Sequence, residues 1–529
     1  MARLNPLSSK YIFLNTVFAL ITFLICLNSC NDHTVPPTIQ EQVANGKVLA
    51  LKYCATCHEF PPPSLIDRNS WLTGVLPAMG RNLHVNMYMG QYYTDQRSAI
   101  GISDWQNIVT YYDRSSPAAL VIPEPKVQPL NDWAIFSLER PKGVNSKMPA
   151  MTTMLNFDTL TRKLYSGDAA NNLLEWDAQL KSKVIHQFDS PVTDARFVRT
   201  PDGASTAIVT CIGSLPPKNL YNGKVYTLDM DKANSNGGIT QITSDLPRPV
   251  ATVSGDFNKD GLTDYITCGF GHDNGGLYYL QQQPDHSFKK IIISNIAGGE
   301  QLLVGDFNND GWPDVICLFA QADEGIRMFL NDQKGGFVTK TLLRFPPVYG
   351  SSSFQLVDFN HDGKPDILYT CGDNSDYSKV LKPYHGIYIF TNDGNWNFKQ
   401  TYFYQINGCT KAIAADFQHN GRLDIAAIAF FPNFKSHARE GFTYLEQTNP
   451  NQFVAHQLPL NTYGRWLTMA VGDFNHDGFD DIALGNFSIG SRGGVGQKGV
   501  APDWDMNEPL ILLKNNAGKK AGLAAKPSF

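Results

Sequence analysis

The chain has 529 residues, which is too long for one ordinary hydrophobic core, so we expect two or more domains. Hydrophobic residues make up 42% and charged residues 18% of the sequence, a composition that excludes long disordered regions. The formal net charge of -5, without a basic stripe that carries interleaved aromatic residues, argues against a nucleic-acid partner. The 44 Gly and 31 Pro residues are typical of many short strands joined by turns.

The first thirty residues have the pattern of an export signal. Arg3 and Lys10 precede a mostly apolar stretch, and residues 27–30 read Leu-Asn-Ser-Cys. This pattern resembles the signal of bacterial lipoproteins, in which the chain is cleaved before a Cys that carries acyl chains. The resemblance implies that residues 1–29 are a signal peptide, that Cys30 is lipidated, and that residues 30–40 form a tether. The protein would then be anchored to a membrane of the bacterial envelope, facing the periplasm or the surface. A plain signal peptide and a single membrane helix are the alternatives.

Residues 41–117 are predicted to form a small all-α domain. Residues 42–53 have helical periodicity, and a second helix is predicted from an N-cap at Ser103. Residues 118–131 contain three Pro residues and are predicted to be a stiff linker.

The first predicted helix leads directly into Cys54-Ala55-Thr56-Cys57-His58, a CxxCH motif. This spacing places two thiols where both can bind the vinyl groups of one haem, with the next imidazole directed at the iron. A disulfide, half of a zinc site or a thiol redox pair are the alternatives. However, no second CxxC supplies zinc ligands, and no βαβ pattern surrounds the motif.

Residues 41–117 resemble class I cytochromes c in having a helix, CxxCH, a Met-containing loop and a C-terminal helix. The resemblance implies one covalent haem c held by Cys54 and Cys57, with His58 as one axial ligand. Met79 is the best match for the other, because Pro77 precedes it by two residues, as is common in that family. Met87, Met89 and His84 compete with Met79 for this role.

An internal repeat dominates the chain from about residue 132. Its copies begin at Asp256, Asp306, Asp358, Asp416 and Asp473, which are 50, 52, 58 and 57 residues apart. A period of about fifty residues, with short apolar runs after each copy, predicts a β-propeller in which each copy supplies one four-stranded blade. Residues 132–516 are long enough for seven blades, so two blades near 150–190 and 195–245 would lack the motif. Residues 510–513 are predicted to close the ring against residues 133–136, and residues 517–529 to form a tail.

Each copy begins with a short acidic loop. Asp, Asn, Asp and Asp occupy positions 1, 3, 5 and 9 with Gly at position 6, which is how an EF-hand loop places oxygen ligands around Ca²⁺. No Glu stands at position 12, and the flanking segments are predicted strands. The loops instead resemble the FG-GAP and VCBS repeats of β-propellers, which implies several structural Ca²⁺ ions. The implied ligands are Asp256, Asn258, Asp260, Asp264, Asp306, Asn308, Asp310, Asp314, Asp358, Asn360, Asp362, Asp366, Asp416, Asn420, Asp424, Asp473, Asn475, Asp477 and Asp481.

The Asp416 copy departs from the pattern, since Gln418 and Asn420 replace the Asn and Asp of positions 3 and 5. We expect that loop to bind Ca²⁺ weakly or not at all. An Asx-turn loop without a metal is the alternative for all five copies.

These features predict an envelope c-type cytochrome that transfers electrons through one haem. Its calcium-stabilised propeller would bind a redox partner protein, another protein or a glycan. One alternative is a haem-linked oxidoreductase with its substrate site on the propeller. Polar side chains from each blade collect in the central channel of a propeller, and the candidates for such a site, called channel candidates below, are His272, Asp273, Asp373 and Arg465. The other is a recognition or adhesion lipoprotein without enzymatic activity. We identify no catalytic residues, and we expect the five later Cys residues to be mostly core residues.

Overall fold

A computed structural model of the chain describes residues 36–125, 127–142, 148–199, 203–232, 238–271, 273–375, 377–489 and 504–518. The predicted signal with Cys30, the channel candidate His272 and most of the predicted tail lie outside these ranges. Within them, every helix is too short or too polar to cross a membrane.

Helices occur in the N-terminal part of the chain. Helix α1 begins three residues earlier than predicted, because Thr38 and Glu41 form a capping box with hydrogen bonds of 3.3 and 2.7 Å. The last helix likewise starts just ahead of its predicted cap, with Gly101 as the N-cap. The elements are α1 (Ile39–Tyr53), a 3-10 turn (Cys54–Thr56), a second (Pro63–Leu65), α2 (Arg68–Ser70), a π-helical turn (Trp71–Val75), α3 (Leu76–Asn82) and α4 (Ile102–Ser115).

This helical unit, residues 39–115, is not all-α as predicted. Strands β1 (Val85–Tyr88) and β2 (Gln91–Thr94) form an antiparallel hairpin. Its two turn residues, Met89 and Gly90, have φ angles of 48° and 76°. Positive φ at both central positions matches the right-handed twist of the strands, so a tight hairpin replaces part of the predicted loop.

Helices α1 and α4 cross at Gly46. A Cβ atom on Gly46 would lie 2.0 Å from the carbonyl oxygen of Asn107, so only glycine permits this approach. Ala50, Trp105 and Ile108 are buried in the same small core. Burial of these apolar side chains holds the helical unit together.

Seven four-stranded antiparallel sheets follow in chain order. The first strands of successive sheets contact one another in a closed ring, in which the first strand of the last sheet (β28, Trp466–Gly472) meets that of the first sheet (β4, Thr152–Asp158). The predicted seven-bladed β-propeller is therefore confirmed. Blades 1 and 2, which lack the acidic loop, consist of β4 (Thr152–Asp158), β5 (Lys163–Asp168), β6 (Asn172–Trp176) and β7 (Ser182–Gln187), and of β8 (Val192–Arg199), β9 (Ser205–Cys211), β10 (Tyr221–Asp229) and β11 (Ile239–Pro247). Blades 3, 4 and 5 consist of β12 (Pro249–Gly255), β13 (Asp264–Gly269), β14 (Gly276–Gln282) and β15 (Phe288–Ser294), of β16 (Gly299–Gly305), β17 (Asp314–Phe319), β18 (Gly325–Asn331) and β19 (Phe337–Arg344), and of β20 (Ser351–Val357), β21 (Asp366–Cys371), β22 (Gly386–Asn392) and β23 (Phe398–Gln405). Blade 6 consists of β24 (Cys409–Ala415), β25 (Asp424–Ala429), β26 (Phe442–Asn449) and β27 (Gln452–His456), and blade 7 of β28 (Trp466–Gly472), β29 (Asp481–Asn486), β30 (Leu510–Asn515) and β3 (Phe136–Glu139).

Blade 7 joins the two ends of the propeller. Strand β30 pairs with β3, in the register Phe136↔Asn515 to Glu139↔Leu512. The closing strand lies three residues beyond the predicted 133–136, because Asp132 accepts the Ala134 N–H at 3.1 Å and Ala134 adopts a φ of 49°. That turn keeps residues 133–134 out of the sheet.

The second strand of each of blades 3 to 7 is buried at every residue, because it lies inside its sheet and between neighbouring blades. Such strands are almost continuously apolar. The five later Cys residues are all buried and are free thiols, as expected for small core residues: Cys211, Cys268, Cys317, Cys371 and Cys409.

The two faces of the propeller carry different features. Strands in a blade alternate in direction, so loops after its first and third strands lie on one face, and loops after its second and fourth strands lie on the other. The five acidic loops follow first strands of blades 3 to 7, which defines the acidic-loop face. The helical unit contacts loops 345–350 and 372–385, which lie on the opposite face, the docking face.

Candidate functional site

A cavity lies between the helical unit and the docking face of the propeller. Its volume is about 1450 Å³ when the space that is open to solvent is counted with it. Its walls come from two parts of the chain, the helical unit up to Tyr112 and the propeller from Asp273 onward. The helical wall includes Cys54, Cys57, His58, Met79 and Tyr112, and the propeller wall includes Gln321, Val348, Asp373, Ser378 and Lys382.

His58 is buried and has a fixed orientation. Its Nδ1 lies 2.8 Å from the carbonyl oxygen of Glu59, and a carbonyl only accepts, so Nδ1 carries the proton. Burial lowers the pKa of His58, with a smaller opposing effect from that hydrogen bond. The imidazole is therefore neutral with Nε2 as its available lone pair, which is the form that binds a metal.

Cys54 and Cys57 are both free thiols, so the structure contains no disulfide at this motif. Burial, and secondarily the nearby Cys57, raises the pKa of the Cys54 thiol to about 11. The thiolate of Cys54 is therefore disfavoured, so Cys54 itself is a poor nucleophile, since thiolates are the nucleophiles in thiol exchange.

The proline segment after His58 is held by two aromatic side chains. The Tyr112 hydroxyl donates to the carbonyl oxygen of Pro61 at 2.9 Å, and Trp71 Nε1 donates to that of Pro63 at 2.9 Å. Both aromatic side chains also line the cavity. The segment therefore forms a rigid edge to the cavity, a role that the sequence pattern did not reveal.

The four candidates for the second axial position lie in different places. Met79 lines the cavity from helix α3. Met87 and Met89 lie on the hairpin, where they are 51% and 85% exposed. His84 lies 3.5 Å from the Asp95 carboxylate, and it does not line the cavity. Of these four, Met79 alone shares the cavity with His58.

Three contacts fix the helical unit on the propeller. The Tyr384 hydroxyl donates to the carbonyl oxygen of Leu65 at 3.2 Å. Gly74 lies against Tyr377, whose carbonyl oxygen would be 2.2 Å from a Cβ at position 74. Val348 of the propeller packs into the helical core. The cavity therefore depends on close backbone contact between the two parts.

The first four acidic loops share one backbone geometry. In the first loop, the Asp256 carboxylate accepts the Asp260 N–H at 3.1 Å and the Gly261 N–H at 3.0 Å. Gly261 has a φ of 84°, which explains the glycine at position 6. The loops that begin at Asp306 and Asp358 have the same hydrogen bonds. Alternate carboxylate and amide oxygens are thereby gathered in one tight turn, as a hard cation requires.

The last Asp of each loop has a structural role that sequence reasoning missed. Asp264 is buried, and its carboxylate accepts the N–H groups of Phe257 and Gln282 at 3.2 and 2.8 Å and the Tyr279 hydroxyl at 2.7 Å. Burial raises the pKa of Asp264, and these hydrogen bonds oppose the shift. Asp314 and Asp366 make the same pair of backbone contacts. These carboxylates tie each loop to the third strand of its blade.

The last two loops differ from the others. In the Asp416 loop, Gln418 Nε2 donates to Asp424 at 3.3 Å and to Glu446 at 3.1 Å. An amide N–H group, which does not bind a cation, therefore faces the carboxylate at position 9 of this loop. Both carboxylate oxygens of Asp473 are buried without a hydrogen bond, and Arg162 lies 3.4 Å away. In the described part of the chain, no three His, Cys, Asp or Glu side chains are grouped as a metal site. Asn and backbone oxygens, which also bind Ca²⁺, are additional ligands in loops of this kind.

The channel candidates are held by local contacts. Asp273 accepts from Asn219 at 2.7 Å, and Asp373 accepts the Ser375 N–H at 2.8 Å. The Arg465 guanidinium lies over the Phe430 ring at 3.6 Å and donates to the Phe430 carbonyl at 2.9 Å. Asp273 and Asp373 line the cavity, whereas Arg465 packs among aromatic rings.

Comparison with known proteins identifies the repeats. Residues 256–317 and 306–369 match the FG-GAP-like repeat model, and residues 466–497 match the FG-GAP repeat model. The chain is 24% identical over 346 residues to cartilage acidic protein 1 of Xenopus tropicalis, which covers 56% of this chain and 45% of that protein. The chain thus spans less than half the length of this curated relative.

Among solved structures, a streptogramin B lyase is similar with a TM-score of 0.44 and 14% identity, covering 73% of this chain and 100% of the lyase. An ancestral GH74 enzyme has a TM-score of 0.46 and 10% identity, covering 74% and 50% of the two chains. This protein carries FG-GAP repeats on a seven-bladed β-propeller, a scaffold suited to recognition of a ligand or protein.

Proposed function

We propose that this protein is an envelope electron carrier that holds one covalent haem c in the cavity between its helical unit and its recognition propeller. One observation carries the proposal: Cys54, Cys57, His58 and Met79 line a single cavity. The residues present fit the group, since they offer two free thiols, a neutral imidazole, a thioether and mostly apolar walls. Haem c, when bound, supplies reversible one-electron chemistry.

Each residue of the helical wall has a defined task in this proposal. The thiols of Cys54 and Cys57 attach the cofactor, and His58 offers Nε2 to the iron while the Glu59 carbonyl holds its ring in place. Met79 offers the thioether sulfur. The buried aromatic side chains of Trp71 and Tyr112 keep water from the interior of the cavity.

The propeller serves as the recognition part in this proposal. Its FG-GAP repeats support recognition of a ligand or protein. The ligand in this proposal is a redox partner protein, or another protein or a glycan. The cavity is open to solvent, so a docked partner could approach the edge of the cofactor. A membrane anchor at Cys30 would keep both partners at the bacterial envelope.

We also propose that Ca²⁺ binds the acidic loops and stabilises the acidic-loop face. The converging oxygens of the Asp256, Asp306 and Asp358 loops support this assignment. The buried carboxylate of Asp473, which accepts no hydrogen bond and has only the Arg162 ion pair, supports it as well. The Asp416 loop is the weakest candidate, because Gln418 directs an amide donor into it.

The second candidate function is recognition or adhesion without haem. The FG-GAP repeats and the similarity to cartilage acidic protein 1 favour this candidate. A haem-linked oxidoreductase with a substrate on the propeller wall is a third reading, supported by the polar Gln321 and Asp373 in the cavity.

Visible absorption of the protein, co-expressed with haem-maturation machinery, separates these functions. The expected result is a pyridine haemochrome of the c type with one haem per chain, and a Met–iron charge-transfer band that is lost in Met79→Ala. Met87→Ala, on the exposed hairpin, is the matched control and should keep the band. A purified chain without covalent haem would refute electron transfer and leave recognition as the function.

A further inference from the structure

The end of the linker is fixed to the outer edge of blade 6. Leu130 forms a parallel bridge with His456 on the edge strand β27. The Leu130 N–H donates to the carbonyl oxygen of Ala455, and the Gln457 N–H donates to the carbonyl oxygen of Leu130, both at 2.8 Å. Just before the linker, the carbonyl oxygen of Pro117 accepts a backbone N–H of helix α2 at 2.8 Å. The linker therefore connects the helical unit to one edge of the propeller and is held at both ends.

His456 lies between two carboxylates at this fixed point. It is 5% exposed, its Nδ1 lies 2.7 Å from the Asp132 carboxylate, and its Nε2 lies 3.3 Å from the Glu446 carboxylate. A carboxylate only accepts hydrogen bonds, and a neutral imidazole carries a single N–H. The two contacts together therefore need the imidazolium form, because a neutral ring would present a lone pair to one of the carboxylates.

The carboxylate of Glu446 is held in place by the divergent acidic loop of blade 6. Gln418, which stands where the other loops have Asn, donates from Nε2 to Glu446 at 3.1 Å. Tyr444 packs against the imidazole with its ring centre 5.8 Å away, and its hydroxyl donates to Asp424 at 2.6 Å. These neighbouring groups are acidic or uncharged, so each of them is compatible with a positive imidazolium.

We propose that His456 is a pH-dependent latch, in which the imidazolium between Asp132 and Glu446 fixes the linker to blade 6 and loss of its proton releases the linker. The latch opens as the pH rises, because deprotonation removes the charge that both carboxylates contact. The released chain is attached to the propeller from strand β3 onward instead of from Leu130, which lengthens the tether of the helical unit. That unit then stays on the docking face through its contacts with the loop 372–385.

Hydrogen exchange of the full-length protein between about pH 5 and about pH 8 tests the latch, since histidine side chains change charge in this range. Exchange rates of the peptides that contain Leu130 and Gln457 are divided by those of an unstructured chain at each pH, which removes the intrinsic pH dependence. This protection should fall about tenfold in the wild type as the pH rises, because hydrogen bonds to a charged group are lost. His456→Gln should show the low protection at every pH.

His286→Gln is the matched control, because His286 is an exposed histidine on blade 3, and this variant should keep the wild-type profile. Asp132→Asn retains a side-chain oxygen for the Ala134 N–H but removes one carboxylate from the latch, so its profile should be flatter. Equal wild-type protection at pH 5 and pH 8, or a fall with pH that persists in His456→Gln, would overturn the latch. If His456→Gln does not fold, a profile of Asp132→Asn identical to that of the wild type overturns it.

Discussion

Gly74 lies at a close backbone contact between the helical unit and the docking face. A Cβ atom at this position would be 2.2 Å from the carbonyl oxygen of Tyr377 and 3.3 Å from its carbonyl carbon. The obstacle is backbone, so no side-chain rotation relieves the clash, and the two parts must separate by roughly 1 Å. We therefore expect Gly74→Ala to weaken docking of the helical unit on the propeller.

The size of the effect follows from the contacts that would open. Overpacking of a close contact costs about 1–3 kcal/mol. The hydrogen bond from Tyr384 to Leu65, at 3.2 Å, would lengthen, and such bonds contribute about 0.5–1.5 kcal/mol. A loss of about 2 kcal/mol shifts a docking equilibrium roughly thirtyfold, since 1.4 kcal/mol is a factor of ten.

Hydrogen exchange and limited proteolysis measure this shift. The linker 118–131 and the loop 372–385 should exchange and be cleaved faster in Gly74→Ala than in the wild type. Gly101→Ala is the control, because Gly101 is in the same helical unit and its added Cβ would meet no atom within 4 Å. Identical exchange and cleavage in both variants would show that the docked arrangement does not depend on the Gly74 contact.

Three further outcomes are expected. Gly46→Ala should destabilise the helical unit by about 1–3 kcal/mol in denaturant unfolding, because its Cβ would lie 2.0 Å from a backbone oxygen of α4. Burial, and then Asp373, raises the pKa of Glu300 from 4.5 to about 7. The folded state then binds the proton more tightly than the unfolded state, so stability should fall as pH rises from about 4.5 to 7. Glu300→Gln should reduce this pH dependence. The decrease in unfolding free energy between pH 5 and pH 8 should be smaller in the variant than in the wild type by up to about 3 kcal/mol. Asp306→Ala should reduce the stabilisation by added Ca²⁺ in thermal unfolding, whereas Asp416→Ala should change it little; equal effects would refute our ranking of the loops.

Much of the propeller could be predicted from local patterns. The acidic loops recur at regular intervals, and each is followed by an apolar run. The number of blades and the closure of the ring could therefore be predicted from the spacing of the repeats and the length of the segment. The hairpin at residues 85–94 was missed, because its turn uses Met89 at positive φ where Asn or Asp is more usual. The capping box at Thr38 was missed, and it lengthens α1 by three residues.

Some residues of the candidate site could be predicted from the sequence, and others could not. The CxxCH motif and Met79 were found because nearby residues identify them: the motif is contiguous, and Pro77 precedes Met79 by two residues. Lys382 and Ser378 could not be found, since a lysine in a loop gives no sign that it will be buried at a cavity.

The sequence by itself determined the repeat, the number of blades and the candidate ligands, because each depends on spacing along the chain. Only the tertiary structure shows that the helical unit contacts loops on the face opposite the acidic loops, and that His58 shares a cavity with residues beyond position 320. These arrangements depend on which surfaces of the helical unit and the propeller fit together after the ring has closed. Close packing between distant segments, such as Gly74 against Tyr377, leaves no periodic signal in the order of residues.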